Sequence, residues 1–188
     1  MFRLDLHENC LQPVQKVSFS ELNLRERCHL QEWLAKHPNA LTDDNVDDEL
    51  LIIQKEFSGF SDTNERLDLL AIDKKGNLVI IENKLDDSGR DVVWQAIKYT
   101  GYCSSLNKAQ IVSIYQDFLN KQQCEQKRDA AEVLADFLER DSLDEVVLNA
   151  AQSQRVILVA ARFRKEVTNT ALWLMGFGLR IQCFCITP

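Results

Sequence analysis

The chain has 188 residues, 45% of them hydrophobic and 27% charged, and its formal net charge is −7. These values are typical of one soluble globular domain, and no apolar run reaches the ~20 residues that cross a bilayer. The net charge argues against a general nucleic-acid-binding protein. However, segments 43–49 and 125–145 each carry −5, which leaves the rest of the chain at +3. Because local charge decides whether a phosphate backbone can dock, nucleic acid remains a candidate ligand.

The N-terminus and the cysteines predict a cytoplasmic protein. Residues 1–8 carry acids where a signal peptide needs an apolar core. The six cysteines form no C-x-x-C pair and mostly have apolar neighbours, so we expect buried free thiols in a reducing compartment. They are Cys10, Cys28, Cys103, Cys124, Cys183 and Cys185.

The first predicted element is a helix that follows an irregular lead. We expect residues 1–19 to be irregular, with room for one short strand. Asn23 and Glu26 have the spacing of a capping box, which places Asn23 at the N-cap. Apolar residues then recur at three- and four-residue steps as far as His37, and Pro38 ends the helix.

Three core strands follow an acidic loop over residues 42–48. Turn residues over Gly59–Asn64 separate the first strand from the second, and a hairpin turn at 73–77, with Gly76 in a positive-φ position, joins the second to the third. The Leu-Val-Ile-Ile run of the third strand predicts burial on both of its faces. The strands are predicted at Leu50–Phe57, Leu67–Asp73 and Leu78–Lys84.

The second half of the chain predicts helices around two further strands. The resulting order, α, β, β, β, α, α, α, β, α, β, indicates one mixed α/β domain over residues 1–188. Because the last strand ends close to Pro188, a longer parent protein with a further C-terminal domain is left open. A homodimer is a separate possibility. The helices are predicted over about 88–106, 108–122, 125–140 and 165–176, and the strands at Arg155–Phe163 and Leu179–Ile186.

The hairpin of the second and third strands carries the residues with chemical potential. Side chains alternate along a strand, so Glu82 and Lys84 share a face and Asn83 points away. A turn near residues 74–77 puts Asp68 opposite Glu82, and the Cβ atoms of such partners lie about 5 Å apart. One divalent ion fits between two carboxylates at that spacing, and Mg²⁺ also accepts water and phosphate oxygens. The pattern therefore indicates metal-dependent hydrolysis of phosphodiester bonds.

Each side chain of this group has an expected role. Asp68 and Glu82 would hold Mg²⁺ or Mn²⁺, with the backbone carbonyl of Asn83 as a further ligand. Lys84 would orient the attacking water or neutralise charge that develops on the phosphate. Gln95, on the following helix, would contact a metal-bound water or a phosphate.

The competing interpretation is an ordinary ion pair of Lys84 with Glu82 or Asp68 on an edge strand. Three features favour a functional site instead. Lys84 follows an almost wholly apolar strand, Asp68 has the matching register, and Gln95 and Tyr99 lie one helical turn apart.

The residues resemble the PD-(D/E)xK nuclease superfamily, with Asp68 as the first acid and Glu82-Asn83-Lys84 as the (D/E)-x-K motif. The stretch from Gln95 to Tyr99 resembles the Q-x-x-x-Y helix of RecB-like exonucleases. The fold that this implies is a restriction-endonuclease-like core (αβββαβ), with a mixed central sheet flanked by helices and extra helices before the fourth core strand. Segments 29–34, 66–70 and 79–84 are similar to a bacterial family related to NucS/EndoMS-type endonucleases.

The resemblance implies a Mg²⁺- or Mn²⁺-dependent deoxyribonuclease that acts on DNA in repair or defence. It also implies a supporting glutamate on the first helix, for which Glu26 and Glu32 are the alternatives. Glu26, one turn before Leu30, fits that position better, but it is also the capping-box acid. Relatives have an apolar residue where this chain has Asn83, whose side chain is expected to face away from the site.

A second function from a different class competes with the nuclease. The same fold could be catalytically weak or inactive and serve as a nucleic-acid or protein binding module, which the net acidity favours. The presence of Asp68, Glu82 and Lys84 together argues against it, because a non-catalytic module does not need all three.

Two other groups have structural explanations. Acids at the start of the helix over 88–106 would complement its dipole, and the tryptophans lie in apolar stripes that predict core positions. The acids are Asp86, Asp87 and Asp91, and the tryptophans are Trp33, Trp94 and Trp173.

Overall fold

The computed structural model describes residues 2–15, 17–42, 48–60, 65–122 and 128–188. Within them, helices flank a central sheet of five strands. Most of the predicted acidic loop, the last four residues of the predicted turn at 59–64, Cys124 and the beginning of the helix predicted over 125–140 lie outside the described residues. In the described part of the chain, every helix is too short or too polar to cross a membrane.

Seven strands of the described chain form one small hairpin and the central sheet. The strands are β1 (Phe2–Asp5), β2 (Cys10–Pro13), β3 (Leu50–Phe57), β4 (Leu67–Asp73), β5 (Leu78–Asn83), β6 (Arg155–Ala160) and β7 (Arg180–Cys185). The hairpin β1–β2 occupies the lead for which at most one strand is predicted. The central sheet has the order β3-β4-β5-β6-β7, antiparallel from β3 to β5 and parallel from β5 to β7. The predicted core strands are confirmed apart from one to three residues at their ends.

Five α-helices of the described chain lie against this sheet or against one another. They are α1 (Gln31–Lys36), α2 (Val92–Ser104), α3 (Lys108–Lys121), α4 (Ala130–Phe137) and α5 (Lys165–Met175). Helix α2 contacts β5 and β6, α3 contacts β3 and α4, and α5 contacts β7. Helix α2 begins four residues later than predicted, because residues 86–88 run extended beside Arg162 and exchange backbone hydrogen bonds with it.

The predicted capping box of the first helix is wrong. Asn23 has a φ of +55° and closes a turn in which its N–H donates to the Ser20 carbonyl at 3.0 Å. Asn tolerates this left-handed backbone better than most residues. The helix starts later, with a π-helical turn at Glu26–Leu30 that continues into α1, and its N-cap residue Arg25 makes no side-chain cap. The Glu26 carboxylate is therefore free to contact the sheet.

The turn between β4 and β5 is formed as predicted. The Gly76 N–H donates to the Asp73 carbonyl at 2.9 Å, and the Asp73 N–H donates to the Asn77 carbonyl at 3.1 Å. Gly76 has a φ of +77°, which glycine adopts without the steric cost that a Cβ would impose. The Asp73 carboxylate also accepts from the Asn77 N–H and pairs with Arg155 on β6. This turn fixes which residues of β4 and β5 face each other.

The predicted burial of the tryptophans is wrong. Trp33, Trp94 and Trp173 are 40%, 67% and 63% exposed. On α2 the stripe that packs against the sheet contains Ala96 and Tyr99, and Trp94 lies outside it.

The burial predicted for the cysteines is also wrong for most of them. Among the described residues the cysteines are free thiols, but only Cys103 is buried. Cys183 and Cys185 lie on the exposed side of β7, an edge strand of the sheet. Cys10 lies on the N-terminal hairpin and Cys28 on the π-helical turn, and both are exposed.

Candidate active site

Strands β4 and β5 bring Asp68 and Glu82 to the same level of the sheet. The pairs Leu69↔Ile81 and Leu70↔Ile80 have the predicted register, which continues by one residue to Asp68 and Glu82. The two residues are only 8% and 2% exposed. Two carboxyl groups therefore share a buried position at the end of a central hairpin, where an unpaired charge is costly.

The electrostatics of this pair are unfavourable in the isolated chain. Burial raises the pKa of Glu82 to about 8, with repulsion from Asp68 as the next contribution. Burial also raises the pKa of Asp68 to about 6, against the stabilising N–H of Asn83 and charge of Lys84. The Oε1 atom of Glu82 is buried without a hydrogen-bond partner. A cation between the two carboxylates would relieve both the repulsion and the missing hydrogen bond.

Lys84 directly follows β5 and lies beside the acids. Burial raises the pKa of both Asp68 and Glu82, and the charge of Lys84 opposes part of that rise. The backbone N–H of Lys84 donates to the Val159 carbonyl at 2.7 Å. Strand β5 is the middle strand of the sheet, so the edge-strand ion pair weighed against a functional site is excluded. The ammonium group lies 3.9 Å from Oε1 of Glu26.

Of the two candidate helix acids, Glu26 lies near this group. Its carboxylate accepts from the Leu85 N–H at 3.1 Å and approaches Lys84. Glu32 instead forms an ion pair with Lys55 of β3 at 2.7 Å. The structure thus brings Glu26 to Lys84, while Glu32 has another partner.

If the site carries out the phosphodiester cleavage that the sequence predicts, Glu26→Gln is expected to lower its rate by about 10- to 100-fold, because Lys84 loses the nearby negative charge. Glu32→Gln is a matched control, since the two side chains are 33% and 35% exposed and each pairs with one lysine. Initial rates under Mg²⁺ measure the effect. Equal rates for both variants and the wild type would show that Glu26 has no part in the reaction.

Helix α2 covers the face of the hairpin that carries the acids. Tyr99 is 2% exposed and stacks on Phe60 with ring centroids 5.0 Å apart. Burial, followed by the charge of Glu82, raises the pKa of its hydroxyl group, which keeps it a hydrogen-bond donor. Gln95 lies one turn earlier on α2 and is half-buried. Its contact with a metal-bound water or a phosphate stays a prediction.

Asn83 is fully buried, and its backbone orients the site. Its N–H donates to Oδ2 of Asp68 at 2.8 Å. Its side-chain nitrogen and oxygen both lack a hydrogen-bond partner. By strand alternation this amide faces away from Glu82, as the sequence predicts.

Asn83→Leu is expected to raise the free energy of unfolding by about 1 kcal/mol, because it replaces an unsatisfied buried amide with an apolar side chain of similar size. The phosphodiester cleavage that the sequence predicts should be unchanged, since the backbone N–H to Asp68 is kept. Urea denaturation at fixed pH measures the first effect and an activity assay the second. Destabilisation by the leucine would show that the amide has a partner, such as a buried water.

Sequence reasoning missed Glu56, which lies in the same row of the sheet. The β3–β4 register puts Glu56 level with Asp68, so a row of three acids crosses β3, β4 and β5. After burial and the charge of Glu26, the charge of Glu56 also raises the pKa of Asp68. The row was hidden because β3 shifts register after Ile52 and Glu56 itself has a φ of +52°. Gln31 was also missed, and its side-chain amide donates to the Asp68 carbonyl at 3.2 Å.

The explanation of Asp86 and Asp87 as complements of the α2 dipole is wrong. Asp86 accepts from the backbone N–H groups of Phe19 and Ser20. Asp87 pairs with two arginines, and the hydrogen bond from Arg164, with help from a backbone N–H and from Arg162, lowers its pKa to about 2. These carboxylates connect loops rather than cap the helix.

The donor set at Asp68 and Glu82 fits a small divalent cation. Mg²⁺ is held by one or two carboxylates and fills its remaining positions with water and phosphate oxygens. The unpartnered Oε1 of Glu82 and the buried Asp68 carboxylate supply such oxygens. Over the described ranges, no cluster of three or more His, Cys, Asp or Glu side chains has metal-binding geometry. Water and substrate would therefore supply the other ligands.

No protein-family model and no curated protein matches the chain. Among solved structures it is similar to a repair endonuclease from Pyrococcus abyssi, with 14% sequence identity and a TM-score of 0.38 over 95% of this chain and 52% of that one. It is also similar to EndoMS in a complex with double-stranded DNA, with 14% identity and a TM-score of 0.38 over 94% of this chain and 48% of that one. The chain thus spans about half the length of these two proteins.

Proposed function

We propose that this protein is a Mg²⁺- or Mn²⁺-dependent nuclease that hydrolyses phosphodiester bonds in DNA, in repair or defence. The observation that carries the proposal is the buried Asp68–Glu82 pair, with an unpartnered oxygen on Glu82 and Lys84 beside it. A structural role gives no reason to bury two carboxyl groups side by side, because ionising both of them is costly unless a cation neutralises the pair.

Each residue of the proposed site has its own role in the reaction. Asp68 and Glu82 would bind the cation, with the Asn83 carbonyl as a further ligand, and the Asn83 N–H holds the Asp68 carboxylate in orientation. The bound cation would polarise the phosphate and acidify a water molecule. Lys84 would donate hydrogen bonds to the attacking water or to the charge that develops on the phosphate oxygens.

Supporting residues complete the proposed site. Glu26 lies 3.9 Å from the Lys84 ammonium and would keep it near the acids by charge attraction. Gln95 would contact a phosphate or a metal-bound water from α2. Asp68, the Glu82-Asn83-Lys84 motif and the order of α1, β3–β5, α2 and β6 support membership of the PD-(D/E)xK superfamily with its restriction-endonuclease-like core. That resemblance is the basis for proposing DNA as the substrate.

A binding module without catalysis is the second candidate. The net charge of −7 favours it. Such a module would bind nucleic acid or protein but leave phosphodiester bonds intact under every metal.

One panel of reactions separates the two candidates. The protein is incubated with supercoiled, linear and single-stranded DNA, and with RNA, in the presence of Mg²⁺, Mn²⁺ or a chelator. We expect cleavage of DNA with Mg²⁺ or Mn²⁺, loss of cleavage with chelator, and an inactive Asp68→Ala variant. Cleavage that survives both Asp68→Ala and Lys84→Ala would exclude the proposed site. Binding without cleavage under every metal would establish the module.

A further inference from the structure

Two arginines lie at the Glu56 end of the row of acids, next to one carboxylate. Nη2 of Arg27 lies 3.0 Å from Oε2 of Glu56, and Nη1 of Arg66 lies 3.9 Å from the same oxygen. Arg27 directly follows Glu26 on the π-helical turn, and Arg66 precedes Asp68 by two residues. Glu56 itself is level with Asp68 in the sheet. The two guanidinium groups therefore lie close to the proposed cation site and converge on one anchor.

Most of the hydrogen-bonding capacity of these arginines faces solvent. Their side chains are 64% and 52% exposed, whereas the Glu56 side chain is 22% exposed. Each guanidinium has five N–H donors, and neither Glu56 oxygen accepts a hydrogen bond from them. Two positive charges against one negative charge leave this group at +1. It is a small basic surface beside the acids in a protein of net charge −7.

Stability does not explain the arrangement. Exposed ion pairs contribute about 0–1 kcal/mol each. Glu56 adopts a φ of +52°, a conformation that is uncommon and costly for a residue other than glycine. This position places a carboxylate whose oxygens accept no hydrogen bond from the described residues beside the two arginines. Its negative charge attracts both guanidinium groups to the edge of the proposed cation site.

We propose that Arg27 and Arg66, drawn together by the charge of Glu56, bind the phosphate backbone of the nucleic acid on one side of the bond to be cleaved. The inference rests on the proposed nuclease function and names the residues that hold its substrate. A guanidinium presents a planar fork that matches phosphate oxygens in a bidentate manner. Such contacts release condensed counterions, so they provide affinity without reading the sequence. Because the protein as a whole is acidic, the attraction for phosphate would come from this local pair of arginines.

The test measures binding separately from cleavage. Anisotropy of a fluorescent double-stranded DNA oligonucleotide, with Ca²⁺ in place of Mg²⁺, gives the dissociation constant over a series of KCl concentrations. The variants are Arg27→Gln, Arg66→Gln, the double glutamine variant and the double lysine variant. Arg140→Gln is the control, because Arg140 is exposed and lines a pocket with Lys75 in the turn at the far end of the β4–β5 hairpin. Thermal unfolding of each variant verifies that it is folded.

Each glutamine substitution is expected to reduce the slope of log Kd against log [KCl] by about 0.9, and the double variant by about twice that. The lysine variant should keep the slope, since it keeps the charges, but bind more weakly because the planar fork is lost. Arg140→Gln should behave as the wild type.

Two results would overturn the inference. The first leaves the nuclease proposal intact, and the second does not. If the wild type cleaves DNA while the folded double glutamine variant keeps the wild-type slope, the arginines do not bind phosphate and the nuclease proposal stands. If the wild type neither binds nor cleaves DNA under any metal, the nuclease proposal fails and the inference fails with it.

Discussion

Lys84→Ala is expected to lower the rate of DNA cleavage by about 10²- to 10³-fold while leaving the protein folded. The magnitude is that of removing one hydrogen-bond donor aimed at charge that develops in the transition state. Lys84 meets the condition for such a role, because its charge acts on both Asp68 and Glu82 and it is held near Glu26. Single-turnover rates with saturating Mg²⁺ isolate the chemical step from binding.

Lys55→Ala is the matched control for this variant. The Lys55 side chain is 31% exposed and the Lys84 side chain is 28% exposed. Each lies next to one glutamate of the first helix. Lys55 is on β3, where it pairs with Glu32. If both variants lose the same fraction of activity, the loss reflects general destabilisation and Lys84 has no special role.

Glu82→Gln is expected to stabilise the protein in the absence of divalent cations, by on the order of 2 kcal/mol at about pH 8. The pKa of Glu82 in the folded protein is raised from 4.5 to about 8 by burial and by the Asp68 charge. Between these two values the folded state keeps a proton that the unfolded state has released, so the wild type loses stability as the pH rises. Below about pH 4.5 both states are protonated and the penalty is absent. The advantage of the glutamine should therefore grow from about pH 4.5 to about pH 8.

Urea denaturation over this pH range, with chelator present, measures the difference between wild type and Glu82→Gln. Glu32→Gln is the control, because its carboxylate is more exposed and ion-paired. Glu82→Gln should also lack cleavage activity. Its stability and its activity would then change in opposite directions, as is common at functional sites. A Glu82→Gln protein that is less stable than the wild type at about pH 8 would show that the carboxylate is compensated within the chain.

The hairpin that carries the site could be predicted because its determinants are local. Asp73 and Gly76 define the turn, and the apolar run of β5 defines the strand after it. Once the position of the turn is known, the pairing of the two strands puts Asp68 opposite Glu82, and the alternation of side chains puts both on one face of the sheet. The observed pairs of β4 and β5 follow that register.

Glu56 could not be predicted because its position depends on distant and irregular structure. Strand β3 reaches β4 through a longer connection, and its register shifts after Ile52. The left-handed backbone of Glu56 has no sequence pattern comparable to the glycine of the hairpin turn. The arginines that contact it were therefore missed as well.

Burial was the property that the sequence predicted least well. Periodicity identifies a helix with an apolar stripe, but α2 carries apolar residues on more than one side, and packing decides that Tyr99 is buried and Trp94 exposed. Similarly, Cys183 and Cys185 lie in an apolar strand that becomes the edge of the sheet. The order of strands, which the local sequence does not contain, determines these outcomes.

Calorimetric titration of Mn²⁺ into the wild type and into Glu82→Gln tests most directly whether Asp68 and Glu82 form a cation site. Titrations at about pH 7 in two buffers of different ionisation enthalpy also count the protons released. We expect one Mn²⁺ to bind the wild type with proton release, because the ion must displace the proton that burial keeps on Glu82. The glutamine variant should bind at least about tenfold more weakly and release fewer protons. Equal affinity and equal proton release in the two proteins, or no binding to the wild type, would contradict the proposed site.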